Sequence, residues 1–119
     1  MDHADHVNLL RSGVREASGA WADFGAGAGA FTLALADLLG PAGEIHAIDR
    51  DERALRRNER AMRGQFPGTA VHYVVADFTR PLELANLAGI VLANSLHFQG
   101  DQAAVVGLLR GYLAPQGRL

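Results

Sequence analysis

The run Asp23-Phe24-Gly25-Ala26-Gly27-Ala28-Gly29-Ala30 constrains this chain more than any other stretch of it. A short apolar segment, Gly19–Phe24, leads into the run, and a segment with helical spacing leaves it. Glycines at alternate positions suit a turn too sharp for side chains, or a surface that a ligand must approach closely. The helix that follows would offer unpaired backbone N–H groups to an anion. A strand, a glycine loop and a helix in that order open a parallel α/β sheet that binds a cofactor at its strand ends.

The rest of the chain alternates in the same way. Strand-length apolar segments recur at Glu44–Asp49, Ala70–Ala76 and Gly89–Ser95. Helical spacing falls between them. Ala28–Leu39 carries Phe31, Leu35, Leu38 and Leu39 and stops at Gly40-Pro41. Asp51–Phe66 puts Leu55, Met62 and Phe66 on one face and stops at Pro67-Gly68. Gln102–Leu113 repeats Val105, Leu108, Leu109, Tyr112 and Leu113 at helical intervals. A first helix is expected around Asp5–Arg11. Such alternation predicts an α/β fold: a mostly parallel sheet between two helical layers, in one domain spanning residues 1–119.

Composition removes several classes of function. With no cysteine there are no disulfides, thiolate metal sites or cysteine nucleophiles. All eleven basic residues are arginine, so a lysine Schiff base is excluded. A net charge of -2 gives no footprint for a phosphate backbone, and nucleic acid is not the expected partner. No apolar run approaches the roughly 20 residues of a membrane span, and the first residues lack the pattern of a signal peptide. A cytoplasmic location is the expectation. His3 and His6 with Asp2 and Asp5 do not make a metal site by spacing alone, and no metal is expected.

The glycine pattern by itself fits two cofactor classes. Gly25, Gly27 and Ala30 satisfy the dinucleotide fingerprint, in which alanine is allowed at the third position. Asp49, 24 positions after Gly25 at the end of the second strand, suits either class, because a carboxylate there can accept both ribose hydroxyls. It could instead cap the following helix. Asp77 ends the third strand in Val74-Val75-Ala76-Asp77-Phe78, where a dehydrogenase has no use for an acid.

Taken in register, Asp23-x-Gly25-x-Gly27-x-Gly29, Asp49, Asp77-Phe78 and Leu113-Ala114-Pro115-Gln116-Gly117-Arg118-Leu119 resemble the class I S-adenosylmethionine (SAM)-dependent methyltransferases. The last motif resembles the family's entry to its fifth strand, with Gln116 in place of a glycine. The resemblance implies a Rossmann-like sheet of order 3-2-1-4-5, reached here without the family's remaining strands 7 and 6. It implies SAM as cofactor, with Asp23 and the loop residues Gly25, Ala26, Gly27 and Gly29 near its methionine part. Asp49 would hold the ribose, Asp77 and the backbone of Phe78 the adenine, and Arg50 would belong to the cofactor-binding residues beside Asp49. The alternatives are a carboxylate at Asp23 that ties down the loop backbone and one at Asp77 that caps a helix or serves a turn.

The fourth strand ends Ala93-Asn94-Ser95-Leu96-His97-Phe98, at the family's acceptor side. It lacks the Pro-Pro-aromatic form of DNA and glutamine methylases, so a small-molecule acceptor is expected. Asn94 would line the cofactor pocket, and His97 would either line the acceptor site or deprotonate a hydroxyl. Arginines 50, 53, 56, 57, 60 and 63 interleave with Asp51, Glu52 and Glu59, which predicts an ion-paired, solvated helix face. With the later strands missing, Gly89–Ser95 is expected to be a bare edge that invites self-association and weakens activity. An NAD(P)-dependent oxidoreductase and a non-catalytic SAM- or nucleotide-binding module are the alternatives.

Overall fold

A computed structural model of the chain describes residues 2–11, 19–77, 82–84, 87–92, 107 and 109–118. The elements run α1 (His3–Arg11), β1 (Gly19–Phe24), α2 (Ala30–Leu39), β2 (Gly43–Asp49), α3 (Glu52–Gln65), β3 (Ala70–Val75), β4 (Leu87–Val91) and β5 (Leu113–Arg118). All five strands pair in parallel in the order β3-β2-β1-β4-β5. This is the expected doubly wound order, and it places the ends of β1 and β2 side by side.

Alternation along the strands sorts the core onto two faces. Trp21 and Ile45 point to the face covered by α2 and α3, where they meet Phe31, Leu35, Leu39 and Met62. Ala22, Phe24 and Ile48 point to the other face and pack with Leu87, Ile90, Leu109 and Tyr112. Two buried faces explain why the strands read as continuous apolar runs. Burying a large apolar side chain of this kind stabilises by roughly 1.5–3 kcal/mol, so both faces are needed.

Several boundaries differ from the sequence reading, three of them at the loop or beside the fifth strand. The helix expected from Ala28 starts at Ala30, because Gly25, Gly27 and Gly29 all adopt positive φ (73°, 54° and 113°) and prolong the turn. The fourth strand covers Leu87–Val91 rather than Gly89–Ser95, and residues 93–95 lie outside the described residues. Leu113 belongs to β5 rather than to the preceding helix, of which Gly107, Leu109 and Arg110 are described as helical. The β4 strand is also no bare edge. It pairs with β1 on one side and β5 on the other, with an irregularity in the β4–β5 register. The edges are β3 and β5.

Helix α3 ends as its sequence suggested. Asp51 caps its start by accepting from the Ala54 N–H at 3.2 Å, and the Phe66 N–H closes its end on Met62. On its outer face Arg56 pairs with Glu52 and Arg63 with Glu59. Pairs this exposed contribute little to stability. His3 joins Asp37 on α2 at 2.9 Å, and His6 lies against the Phe31 ring, so these histidines fasten α1 to α2.

Candidate functional site

The glycine loop is shaped by groups from β2 and α3 rather than by its own sequence. The N–H groups of Gly25 and Ala26 both donate to the Ile48 carbonyl, at 2.8 and 3.1 Å. The Gly27 N–H donates to Asp49 Oδ2 at 2.9 Å. Asp49 Oδ1 accepts from the Asp51 N–H at 2.8 Å, which fixes the carboxylate at the mouth of the sheet. Each oxygen still has a lone pair for a further donor. Ala76, one residue before Asp77, donates its N–H to the Asp49 carbonyl at 3.1 Å. The two acids therefore stand at the same end of neighbouring strands.

Asp23 has a different position. It is buried, 1% exposed, on the face of β1 that meets α2. The Thr32 hydroxyl donates to its Oδ2 at 2.7 Å. Burial pushes Asp23 up to about 7; the Thr32 hydrogen bond opposes that shift, and the Asp49 charge adds to it. The carboxyl lies under the loop and joins β1 to the first turn of α2.

Sequence reasoning missed Thr32, Asn58 and Tyr73, which complete this buried cluster. Asn58 Nδ2 donates to Thr32 Oγ1 at 2.8 Å and to the Gly27 carbonyl at 3.3 Å. The Tyr73 hydroxyl, whose pKa burial pushes up to about 12, donates to Asn58 Oδ1 at 3.3 Å. A signal for Asn58 was present: it sits three residues after Leu55 and four before Met62, a polar amide on the apolar face of α3. Arg50 is exposed just beyond Asp49. Phe78, Asn94 and His97 lie outside the described residues.

The loop also fits a ligand by what it leaves open. A Cβ at Gly27 would meet nothing closer than the Gly25 carbonyl at 4.0 Å, so that position faces free space. A Cβ at Gly29 would press on Asn58 Cγ at 3.2 Å. One glycine keeps the mouth clear, and the other admits the amide behind it.

A parallel sheet of this order, with a glycine loop after β1 and an acid ending β2, is common to dinucleotide- and SAM-binding α/β domains, so the match to one family decides between them. The family model described as "Methyltransferase domain" matches residues 22–117, and the chain belongs to that family. A probable cobalt-precorrin-6B C(15)-methyltransferase (decarboxylating) of Thermoplasma volcanium is 35% identical over 71 residues, covering 60% of this chain and 35% of that protein. Coclaurine N-methyltransferase bound to N-methylheliamine and SAH shares the fold with a TM-score of 0.81 at 15% identity, over 97% of this chain and 34% of its own. An arsenic(III) S-adenosylmethionine methyltransferase from Chlamydomonas reinhardtii does so with a TM-score of 0.72 at 20% identity, over 86% and 37%. The chain thus spans about a third of the length of these relatives. Among the described residues, no helix is long and apolar enough to cross a membrane.

Proposed function

We propose that this domain binds SAM and serves the transfer of its methyl group to a small-molecule acceptor. The observation that carries the reading is the family match across residues 22–117, which contain the whole glycine loop and both strand-end acids. The names of its relatives support a small acceptor, since they refer to cobalt-precorrin-6B, coclaurine and arsenic(III). When bound, SAM would supply a methyl group already activated by a sulfonium.

The residues of this chain would bind and align rather than react. Asp49 would take the ribose hydroxyls on the lone pairs that Gly27 and Asp51 leave unused. Gly25, Ala26, Gly27 and Gly29 would receive the methionine part, with Asp23 beneath them. Asp77 and Phe78 would meet the adenine, with Arg50 beside the ribose and Asn94 lining the pocket. Alignment of this kind can supply up to roughly 7–11 kcal/mol of a displacement barrier, so no catalytic triad is required. His97 would line the acceptor side, its catalytic role confined to removing a proton from a hydroxyl acceptor. A cytoplasmic enzyme fits the cysteine-free composition. Self-association would involve the sheet edges β3 and β5, and light scattering reads it directly.

Calorimetry of the full-length protein with S-adenosylhomocysteine (SAH), NAD and NADP tests the reading. SAH binding that Asp49→Ala and Asp77→Ala each weaken by about 10- to 150-fold is expected, the usual cost of a lost charged hydrogen-bonding partner. Tight NAD binding without SAH binding would sink the assignment, while SAH binding indifferent to Asp77→Ala would remove the adenine contact alone.

A further inference from the structure

The polar cluster behind the loop has a direction. Tyr73 donates to Asn58, Asn58 donates to Thr32, and Thr32 donates to Asp23, so every donor in the chain points toward the buried carboxyl. The second N–H of the Asn58 amide leaves this line and holds the Gly27 carbonyl. Asn58 is fully buried and Thr32 likewise, while Tyr73 is half-buried on the edge strand β3. One amide therefore touches α2, β3 and the loop at once, and each of its hydrogen-bonding groups is used.

The Gly27 peptide is held from both sides. Its N–H goes to Asp49 and its carbonyl to Asn58, from two different elements. Gly27 adopts φ +54° and Gly29 φ +113°, conformations with no side chain of their own to favour them. Glycine gives such a loop many alternatives, so its shape must come from outside groups. Asp49 also stands at the mouth of the sheet, where its remaining lone pairs would serve a ligand. Asn58 does not face the mouth and can act only through the loop.

We infer that Asn58 is a positioning residue that latches the Gly27 carbonyl and so presets the glycine loop for its ligand. Thr32 orients the amide from α2 and Tyr73 from β3. The inference rests on the reading of this loop as the SAM site. A preset loop loses less conformational freedom on binding, so the latch acts on affinity and not on any reacting atom.

The test is SAH affinity by calorimetry on the full-length protein, with amide hydrogen exchange read at Gly27 and Gly29. Asn58→Ala should weaken SAH at least tenfold and speed exchange at both glycines in the unliganded protein. Thr32→Val should weaken SAH several-fold, whereas Thr32→Ser, which keeps the hydroxyl, should restore it to within about twofold. Tyr73→Phe removes only one hydroxyl from a half-buried ring and should weaken SAH two- to threefold. It decides the question if Asn58→Ala does not fold. Folded Asn58→Ala with wild-type affinity and exchange overturns the latch, as does Tyr73→Phe with unchanged exchange at Gly27. Wild-type protein that does not bind SAH overturns the SAM reading instead, so the two failures are separable.

Discussion

Gly29 and Gly89 show the same residue type used for two different ends. Gly29 lies in the loop at φ +113°, and its missing side chain lets an amide of α3 approach within hydrogen-bonding range of its neighbour Gly27. Gly89 lies in β4 opposite Trp21 in β1, and its missing side chain is the space the indole occupies. The first glycine is conformational and polar in purpose, and the second is steric and apolar. A change at the first should register mainly in ligand affinity. A change at the second should register in stability.

The largest effect is expected from Gly89→Ala, because the new methyl would overlap the six-membered ring of Trp21. Overpacking in a filled core costs typically 1–3 kcal/mol, and a rigid ring flanked by two strands puts this site at about 3 kcal/mol or more. Urea denaturation measures it. Repeating the substitution in a Trp21→Val background should recover much of the loss, since the two residues share one contact. A loss that persists there would mean the backbone, not the ring, is at fault.

Gly29→Ala comes next. Its left-handed backbone should cost about 1–2 kcal/mol in stability, and SAH affinity should fall tenfold or more as the methyl presses on Asn58. If stability falls and affinity of the folded protein does not, the contrast with Gly89 is lost.

The third expectation concerns pH. Asp23 keeps its proton to about 7 when folded, against 3.8 for an ordinary aspartate. The unfolded chain therefore gives up the proton first as pH rises. Asp23 contributes stability that is fully present below about pH 4, is lost as pH rises to about 7, and is level above that. The fall should exceed about 1.4 kcal/mol, the equivalent of one pKa unit. His46, whose pKa burial lowers, gives a slope of opposite sign, so the readout is wild type minus Asp23→Asn. Equal slopes in the two proteins would show that Asp23 is charged throughout. The smallest effect is expected from Trp21→Phe, within about 1 kcal/mol by thermal melting. The indole N–H is buried without a hydrogen-bond partner among the described residues, so its removal offsets the lost ring volume.

The sequence carried the parts of this molecule that depend on neighbours along the chain. Strand β1 was read with its true bounds, and the stops at Gly40-Pro41 and Pro67-Gly68 fell where α2 and α3 end. Asp49 was legible as the acid that closes the second strand, and its carboxylate accepts from the loop at Gly27. Thr32, Asn58 and Tyr73 were not, since each is ordinary in its own element and gains meaning only where three elements meet. The edge strand was misplaced for the same reason: a partner for β4 is supplied by residues more than twenty positions later. Asp23 stood out in the loop motif, yet its burial against α2 depends on which face of β1 it occupies.

The hydrogen bonds that shape the loop have a consequence for anyone wishing to move it. The groups that hold Gly25, Ala26 and Gly27 are Ile48, Asp49 and Asn58, at least 22 positions downstream. A graft of residues 19–39 into another sheet would transplant the glycines and leave behind the groups that give them their form. The smallest portable unit runs from β1 through β3, because Tyr73 steadies Asn58. By the same token the loop reaches its final hydrogen-bonded shape only once β2 and α3 are in place beside it.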